Sequence, residues 1–278
     1  MINIETVIVS CGYSDFLNES LRENLPHLDF VVVVTCPEDE ETQKVCRKYC
    51  VHYVMSNDYE INGSIHSPGT FNKGRMIRRG FDQISAKDWV MHLDADIILP
   101  RRFRRLIEVA DLDRRCIYGS DRQDVVGWDD WQRMKTHAGP WDNHMHENAH
   151  WFHPKMKVSS RWISNIHGYA PIGALQLFHG SEFIQNGYHV RNYPVFHSDA
   201  ARSDVQFALQ WDRQKRLLIP ELVVLHLVSE EAPIGANWSG RTTKPFGPEQ
   251  HRPKPPPHRH QPPEPPPKHH PHPPYYGR

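Results

Sequence analysis

Two aspartates, Asp94 and Asp96, interrupt the apolar stretch "WVMHLDADIILP" at 89–100. Carboxylates at i and i+2 that close a strand can face one crevice when the chain turns between them. Together they hold a hard divalent cation and leave room for phosphate oxygens and water. That arrangement suits a nucleotide diphosphate, whose departing charge a bridging metal neutralises. A bare Asp-x-Asp is common, so its meaning depends on the elements that carry it.

Three other segments hold side chains with chemical potential. Residues 122–170 are dense in tryptophan and histidine. His144, His146, His150 and His153 could form a zinc cluster, but none of their spacings matches the helical H-E-x-x-H pattern. Trp128 and Trp131 offer apolar faces on which a sugar ring or a base can stack, and core packing accounts for them equally well. The arginines of "RRFRR" (101–105) and "DRR" (113–115) read as a solvated helix face unless the partner is a polyanion such as DNA. Arg241, in "GANWSGR", carries a planar fork suited to a diphosphate oxygen.

The elements that must position these groups alternate over the first hundred residues. "TVIVSC" (6–11), "FVVVVTC" (30–36), "VHYVM" (51–55) and "DWVMHLD" (88–94) read as strands. Ser14 is expected to cap a helix over "DFLNESLREN". Pro37 and the acidic "EDEET" open a second helix, and "FNKGRMIRRGFDQI" forms a third despite Gly74 and Gly80. Strand and helix in alternation predict an α/β fold with a mostly parallel, doubly wound sheet. Such sheets bind ligands beyond the carboxyl ends of their strands. Ser10, Cys11, Thr35, Asp94 and Asp96 all fall there. Further on, "RRFRRLIEVADLDRR" predicts a helix, "CIYGSD" and "GALQLFHG" strands, "SDVQFALQWDRQKRLL" a capped helix over 203–218, and "ELVVLHLV" (221–228) the last strand.

Composition excludes little. Lysine plus arginine equal aspartate plus glutamate at 33 each, so net charge argues for neither nucleic acid nor membrane as a global partner. The five cysteines lack metal-type spacing and read as reduced thiols. No window suits a membrane span or a signal peptide, so a soluble, cytoplasmic protein is expected. The stretch 251–278 contains 12 prolines and 6 histidines. It predicts a disordered Pro/His-rich tail over 249–278 beyond one domain over 1–248.

In their order, "VIVSCGYSDFLNESL", "VVVTCPEDEET", "FNKGRMIRRGF", "HLDADIILP", "GALQLF", "SDVQFALQW" and "VLHL…GANWSGR" resemble a glycosyltransferase of the GT-A fold. The likeness covers roughly residues 4–245 and points to family-2-like enzymes, including those of bacteriophages. It implies a Rossmann-like sheet, a nucleotide-sugar donor such as UDP-glucose, and a Mn2+ or Mg2+ cofactor. Ser10, Cys11 and Thr35 would line the base and ribose, with Asp39 beside them and Lys73 approaching the nucleotide. Asp96 would coordinate the metal, Asp94 would serve the ribose or the metal, and Arg241 the diphosphate. His226 matches a late histidine that completes the metal shell, and imidazole suits Mn2+-like ions; without the likeness, a core histidine is the plainer reading. Asp204 would be the general base of an inverting transfer, with a helix cap as the plain alternative and Asp199 as the rival base. Trp128, Gln176 and Trp238 would face the acceptor. That acceptor stays open between a glycan, a lipid, a protein and a hydroxymethylated DNA base, the last in host cytoplasm if the protein is viral. A nucleotidyltransferase and a catalytically silent binding protein are the competing readings.

Overall fold

The computed structural model describes residues 2–58, 71–136, 163–185, 188–195, 200–229, 237–238, 241 and 243–248. The expected His144, His146, His150 and His153 cluster, Asp199 and the 249–278 tail lie outside the described residues.

The first half alternates as expected: β1 (Ile4–Val9), α1 (Ser14–Asn24), β2 (Phe30–Thr35), α2 (Glu40–Lys48), β3 (His52–Met55), α3 (Lys73–Phe81), β4 (Trp89–Asp94). β5 (Ile97–Ile98), α4 (Phe103–Val109), β6 (Ile117–Val126) and α5 (Trp128–Thr136) follow. Two short ladders, β7 (Ile163–Ser164) with β8 (Gly168–Tyr169) and β10 (Ile184–Gln185) with β11 (Tyr188–His189), flank β9 (Leu175–His179). α6 (Ser203–Ala208) and β12 (Arg216–Val228) close the described fold.

One eight-stranded sheet runs β3-β2-β1-β4-β9-β6-β12-β5. β3, β2, β1 and β4 pair in parallel, as do β6 and β12. β9 is antiparallel to both β4 and β6, and β5 runs antiparallel to β12. The strands of the parallel half are apolar on both faces because both are covered. Ile4, Ile8, Val31 and Val33 pack with Leu17, Leu21 and Cys46 of α1 and α2 on one face. Val7, Val32 and Val34 pack with Met76, Ile77 and Phe81 of α3 on the other. An aromatic cluster extends that second face: Tyr193 stacks on Phe207 at 4.0 Å, and Phe178 and Trp211 close around them.

The glycines of α3 permit this packing. A Cβ on Gly80 would stand 2.3 Å from Val7 Cγ1, and one on Gly74 would stand 2.0 Å from the Pro194 carbonyl oxygen. The helix can lie this close to the sheet and to the 193–195 segment only without those side chains.

Several local expectations are corrected. Ser14 does not cap α1: Tyr13 holds the N-cap position without a side-chain bond, and Ser14 lies inside the helix. The predicted 203–218 helix ends at Ala208, and β12 begins at Arg216, five residues before the predicted Glu221. α5, within the stretch that lacked a period, buries Asp130, Trp131 and Met134. The basic run is partly engaged: Arg104 pairs with Asp29 at 2.5 Å, and Arg115 with Asp113 at 2.7 Å. Among the described residues, no helix is long and apolar enough to cross a membrane.

Candidate active site

Alternation along β4 sends Trp89, Met91 and Leu93 to the α1 face, and Val90, His92 and Asp94 to the α3 face. Asp94 therefore emerges beside the N-terminus of α3, where Lys73 reaches it: Nζ lies 2.5 Å from Asp94 Oδ1. A loop before β9 brings a third partner. The Gly173 amide donates to Asp204 Oδ2 at 2.5 Å. A Cβ built on Gly173 would stand 3.0 Å from Asp94 Oδ2, 3.2 Å from Asp204 Oδ2 and 3.2 Å from Lys73 Nζ. Lys73, Asp94 and Asp204 thus converge around one glycine. Asp204 is the second residue of α6 and not its cap. The preceding Arg202 takes a left-handed φ of 67° at the N-cap.

Beneath this group is a buried relay. Gln176 donates from Nε2 to the Pro171 and Asp204 carbonyls at 2.8 and 2.9 Å, so its Oε1 can only accept. Tyr193 donates its hydroxyl proton to that Oε1. The Tyr193 oxygen, 3.0 Å from His92 Nδ1, must then receive the His92 proton. His92 is left with a bare Nε2, without a hydrogen-bond partner and 3.6 Å from Asp94 Oδ1. Burial, and then the Lys73 charge, hold this histidine well below the ordinary imidazole range. The relay settles Gln176. It is fully buried and braces Asp204, so it does not face an acceptor.

Asp96 belongs to a second group. After β4 the chain turns, and β5 pairs with β12, placing Ile97 opposite His226. The Leu227 amide donates to the Asp96 carbonyl at 2.8 Å. β12 also pairs with β6, with His226 opposite Asp124. His226 is consequently held from both sides: Nδ1 is 2.8 Å from Asp124 Oδ1 and Nε2 is 3.5 Å from Asp96 Oδ2. Burial alone would lower the His226 pKa, but Asp96 and then Asp124 outweigh it and raise the pKa to about 9. Burial works against the Asp96 carboxylate, yet His226 holds its pKa below the usual value. Asp94 behaves oppositely. Burial, reinforced by the neighbouring Asp96 charge, raises its pKa against the pull of Lys73.

The two aspartates of the opening motif therefore have different partners, Asp94 with Lys73 and Asp96 with His226. Among the described residues, no three His, Cys, Asp or Glu side chains form a closed metal cage. Asp96 and His226 instead form an open pair, one carboxylate oxygen and one imidazole nitrogen. That donor set suits a Mn2+-like ion.

The other expected residues divide. Ser10, Cys11 and Thr35 sit at the ends of β1 and β2 and are buried. Cys11 Sγ lies 3.9 Å from Met76 Sδ, and Thr35 donates to Asp39. Asp39 is the N-cap of α2: it accepts from the Thr42 amide at 3.0 Å, and its Oδ2 takes the Gly12 amide at 2.6 Å and the Thr42 hydroxyl at 2.6 Å. Its observed role is to tie the β1 turn to α2. Arg241 is a correction. All five of its N–H donors are engaged, with Asp15 at 2.6 and 2.8 Å and with the carbonyls of Gly12, Thr243 and Lys244. No donor remains for a diphosphate. Trp128 is likewise packed, edge-on to Phe246 at 5.6 Å with Lys135 Nζ 5.2 Å from its ring centroid. Trp238 is half exposed, and its carbonyl accepts from the Ala200 amide.

Neither a family model nor a curated protein sequence matches this chain. Among solved structures it is similar to mannosyl-3-phosphoglycerate synthase from Rubrobacter xylanophilus, at 16% identity and a TM-score of 0.34, over 44% of this chain and 40% of that one. It is also similar to glucosyl-3-phosphoglycerate synthase from Mycobacterium tuberculosis, solved with Mn2+, UDP-glucose and phosphoglyceric acid. That match has 13% identity and a TM-score of 0.33, over 44% of each chain. A third similar structure, a mycobacterial protein, matches at 12% identity and a TM-score of 0.45, over 84% of this chain and 69% of that one. The chain spans less than half the length of the two synthases, and likenesses this low transfer neither substrate nor mechanism.

Proposed function

We propose that the chain is a metal-dependent glycosyltransferase of the GT-A fold. It moves a sugar from a nucleotide sugar, a UDP-sugar, to an acceptor hydroxyl with inversion. The observation that carries this reading is the juxtaposition of an open Asp96–His226 pair with the Lys73–Asp94–Asp204 group, at the carboxyl ends of parallel strands where such sheets bind ligands.

Asp96 and His226 would hold Mn2+ or Mg2+, which when bound offsets the charge of a departing diphosphate. Ser10, Cys11 and Thr35 are buried beneath the end of the sheet where the base and ribose would lie, and would shape that end from below. Lys73 keeps Asp94 in place and presents a cation beside the donor. Asp204 would accept the acceptor's hydroxyl proton. Backbone amides of Gly173 and Val205 fix its orientation at 2.5 and 2.8 Å, and each oxygen keeps a lone pair. Trp238, exposed near this end of the fold, is available to an acceptor ring. Residues 1–248 would form the catalytic unit, and removing 249–278 is expected to leave turnover unchanged.

The test is incubation with a panel of nucleotide sugars and hydroxyl acceptors, with and without Mn2+, with products identified by mass. Metal-dependent transfer supports the reading, and release of pyrophosphate would indicate a nucleotidyltransferase. An Asp204→Asn chain of normal stability should lose at least a hundredfold in turnover.

A further inference from the structure

Near the metal pair, Arg122 has no evident structural task. β6 exposes alternate residues on one face, so Ser120, Arg122, Asp124 and Val126 are half-buried while Asp121, Gln123 and Val125 are buried on the other. Arg122 therefore shares a face with Asp124, one pleat away, about 7 Å along the strand. β9 fixes its level in the sheet. Phe178 pairs with both Val90 and Ile117, and counting four residues along each parallel strand sets Asp121, next to Arg122, level with Asp94 at the end of β4.

The guanidinium is close enough to Asp96 and His226 to act on both electrostatically. Neither is its partner: Asp96 faces His226, and Asp124 takes the imidazole from the other side. Arg122 Nε is buried with no hydrogen-bond partner. A buried guanidinium nitrogen without an acceptor is costly. Its fork matches phosphate oxygens in a way that a lysine does not. The cations expected at the donor, Lys73 and Arg241, are both already engaged by carboxylates.

We propose that Arg122 is a donor-binding residue whose guanidinium grips a phosphate oxygen of the nucleotide diphosphate beside the Asp96–His226 pair. The assignment rests on the nucleotide-sugar reading above and replaces the role that the sequence suggested for Arg241.

Titration calorimetry tests it with UDP and with uridine, both in the presence of Mn2+, on the wild-type chain, R122Q and R122K. UDP should bind R122Q at least tenfold more weakly and R122K about threefold more weakly, with uridine binding and melting temperature unchanged. UDP binding to R122Q at wild-type strength overturns the assignment alone. An equal loss for uridine and UDP also overturns it, because the defect would then be structural. A wild-type chain that binds no nucleoside diphosphate overturns the nucleotide-sugar reading and this assignment with it.

Discussion

His226 Nδ1 stands 2.8 Å from Asp124 Oδ1, which turns the opposite edge of the imidazole toward Asp96. A carboxylate behind a ligating histidine fixes its tautomer and raises its basicity. Asp124→Asn preserves the shape and removes the charge. It should weaken Mn2+ binding roughly 10- to 100-fold. Calorimetry reads the affinity, and nitrogen NMR of the metal-free protein above pH 9, where His226 is neutral, reads the loss of the fixed tautomer. Unchanged affinity would show that His226 is not a ligand or that Asp124 does not orient it.

Proton and metal compete for the same imidazole nitrogen. With the His226 pKa raised to about 9 by Asp96 and Asp124, the metal-free histidine is protonated at neutral pH. Mn2+ binding should strengthen about tenfold per pH unit between pH 6 and 8 and level off near pH 9, with a proton released. Without metal the stability dependence has the other sign. The protonated histidine stabilises the fold fully below the ordinary imidazole value of 6.5, and that contribution is lost as pH rises through about 9. Calorimetry in buffers of different ionisation heat measures the released proton.

Gly173 lets Lys73, Asp94 and Asp204 meet. Gly173→Ala would place a methyl 3.0 Å from Asp94 Oδ2 and 3.2 Å from both Lys73 Nζ and Asp204 Oδ2. These groups must shift by a few tenths of an ångström. Turnover should fall at least tenfold, with stability changed by less than about 1 kcal/mol. Wild-type turnover in this variant would show that the group is not held tightly for chemistry.

Arg241 and Asp15 form a buried ion pair, 8% and 3% exposed, joining the end of the described chain to α1. Arg241→Ala should cost about 3–5 kcal/mol, since it strands Asp15 without its counter-charge. Denaturant unfolding measures that loss. The folded fraction should keep its UDP affinity within about threefold. A tenfold loss of affinity at unchanged stability would restore Arg241 to the diphosphate.

The parts of this site that were legible in the sequence are those whose meaning is local. Asp94 and Asp96 break an apolar run at a strand end, and Lys73 and Asp204 stand at helix starts, so residue type and position nearly suffice. Asp124 was not legible, because it meets His226 only through the pairing of β6 with β12, across 102 residues of sequence. The Arg241–Asp15 pair spans 226 residues, which left the fork of Arg241 looking free. Gln176 and His92 sit on apolar strands, and only the Tyr193 relay between them reveals what they brace. α5 leaves no clear period in the sequence because its buried Asp130, Trp131 and Met134 make too sparse a stripe. Glycines that allow close approach, such as Gly74 and Gly173, leave no signal until their neighbours are known.

Under the proposed function, Asp96 and His226 serve transfer from a nucleotide sugar. Phosphorus NMR of the reaction with UDP-sugar, Mn2+ and a hydroxyl acceptor tests it most directly, on the wild-type chain and on Asp96→Asn. The UDP-sugar resonances should convert to UDP in a metal-dependent way in the wild type, at a rate that falls at least a hundredfold in the variant. Pyrophosphate as the product, or equal rates in the two proteins, would contradict it.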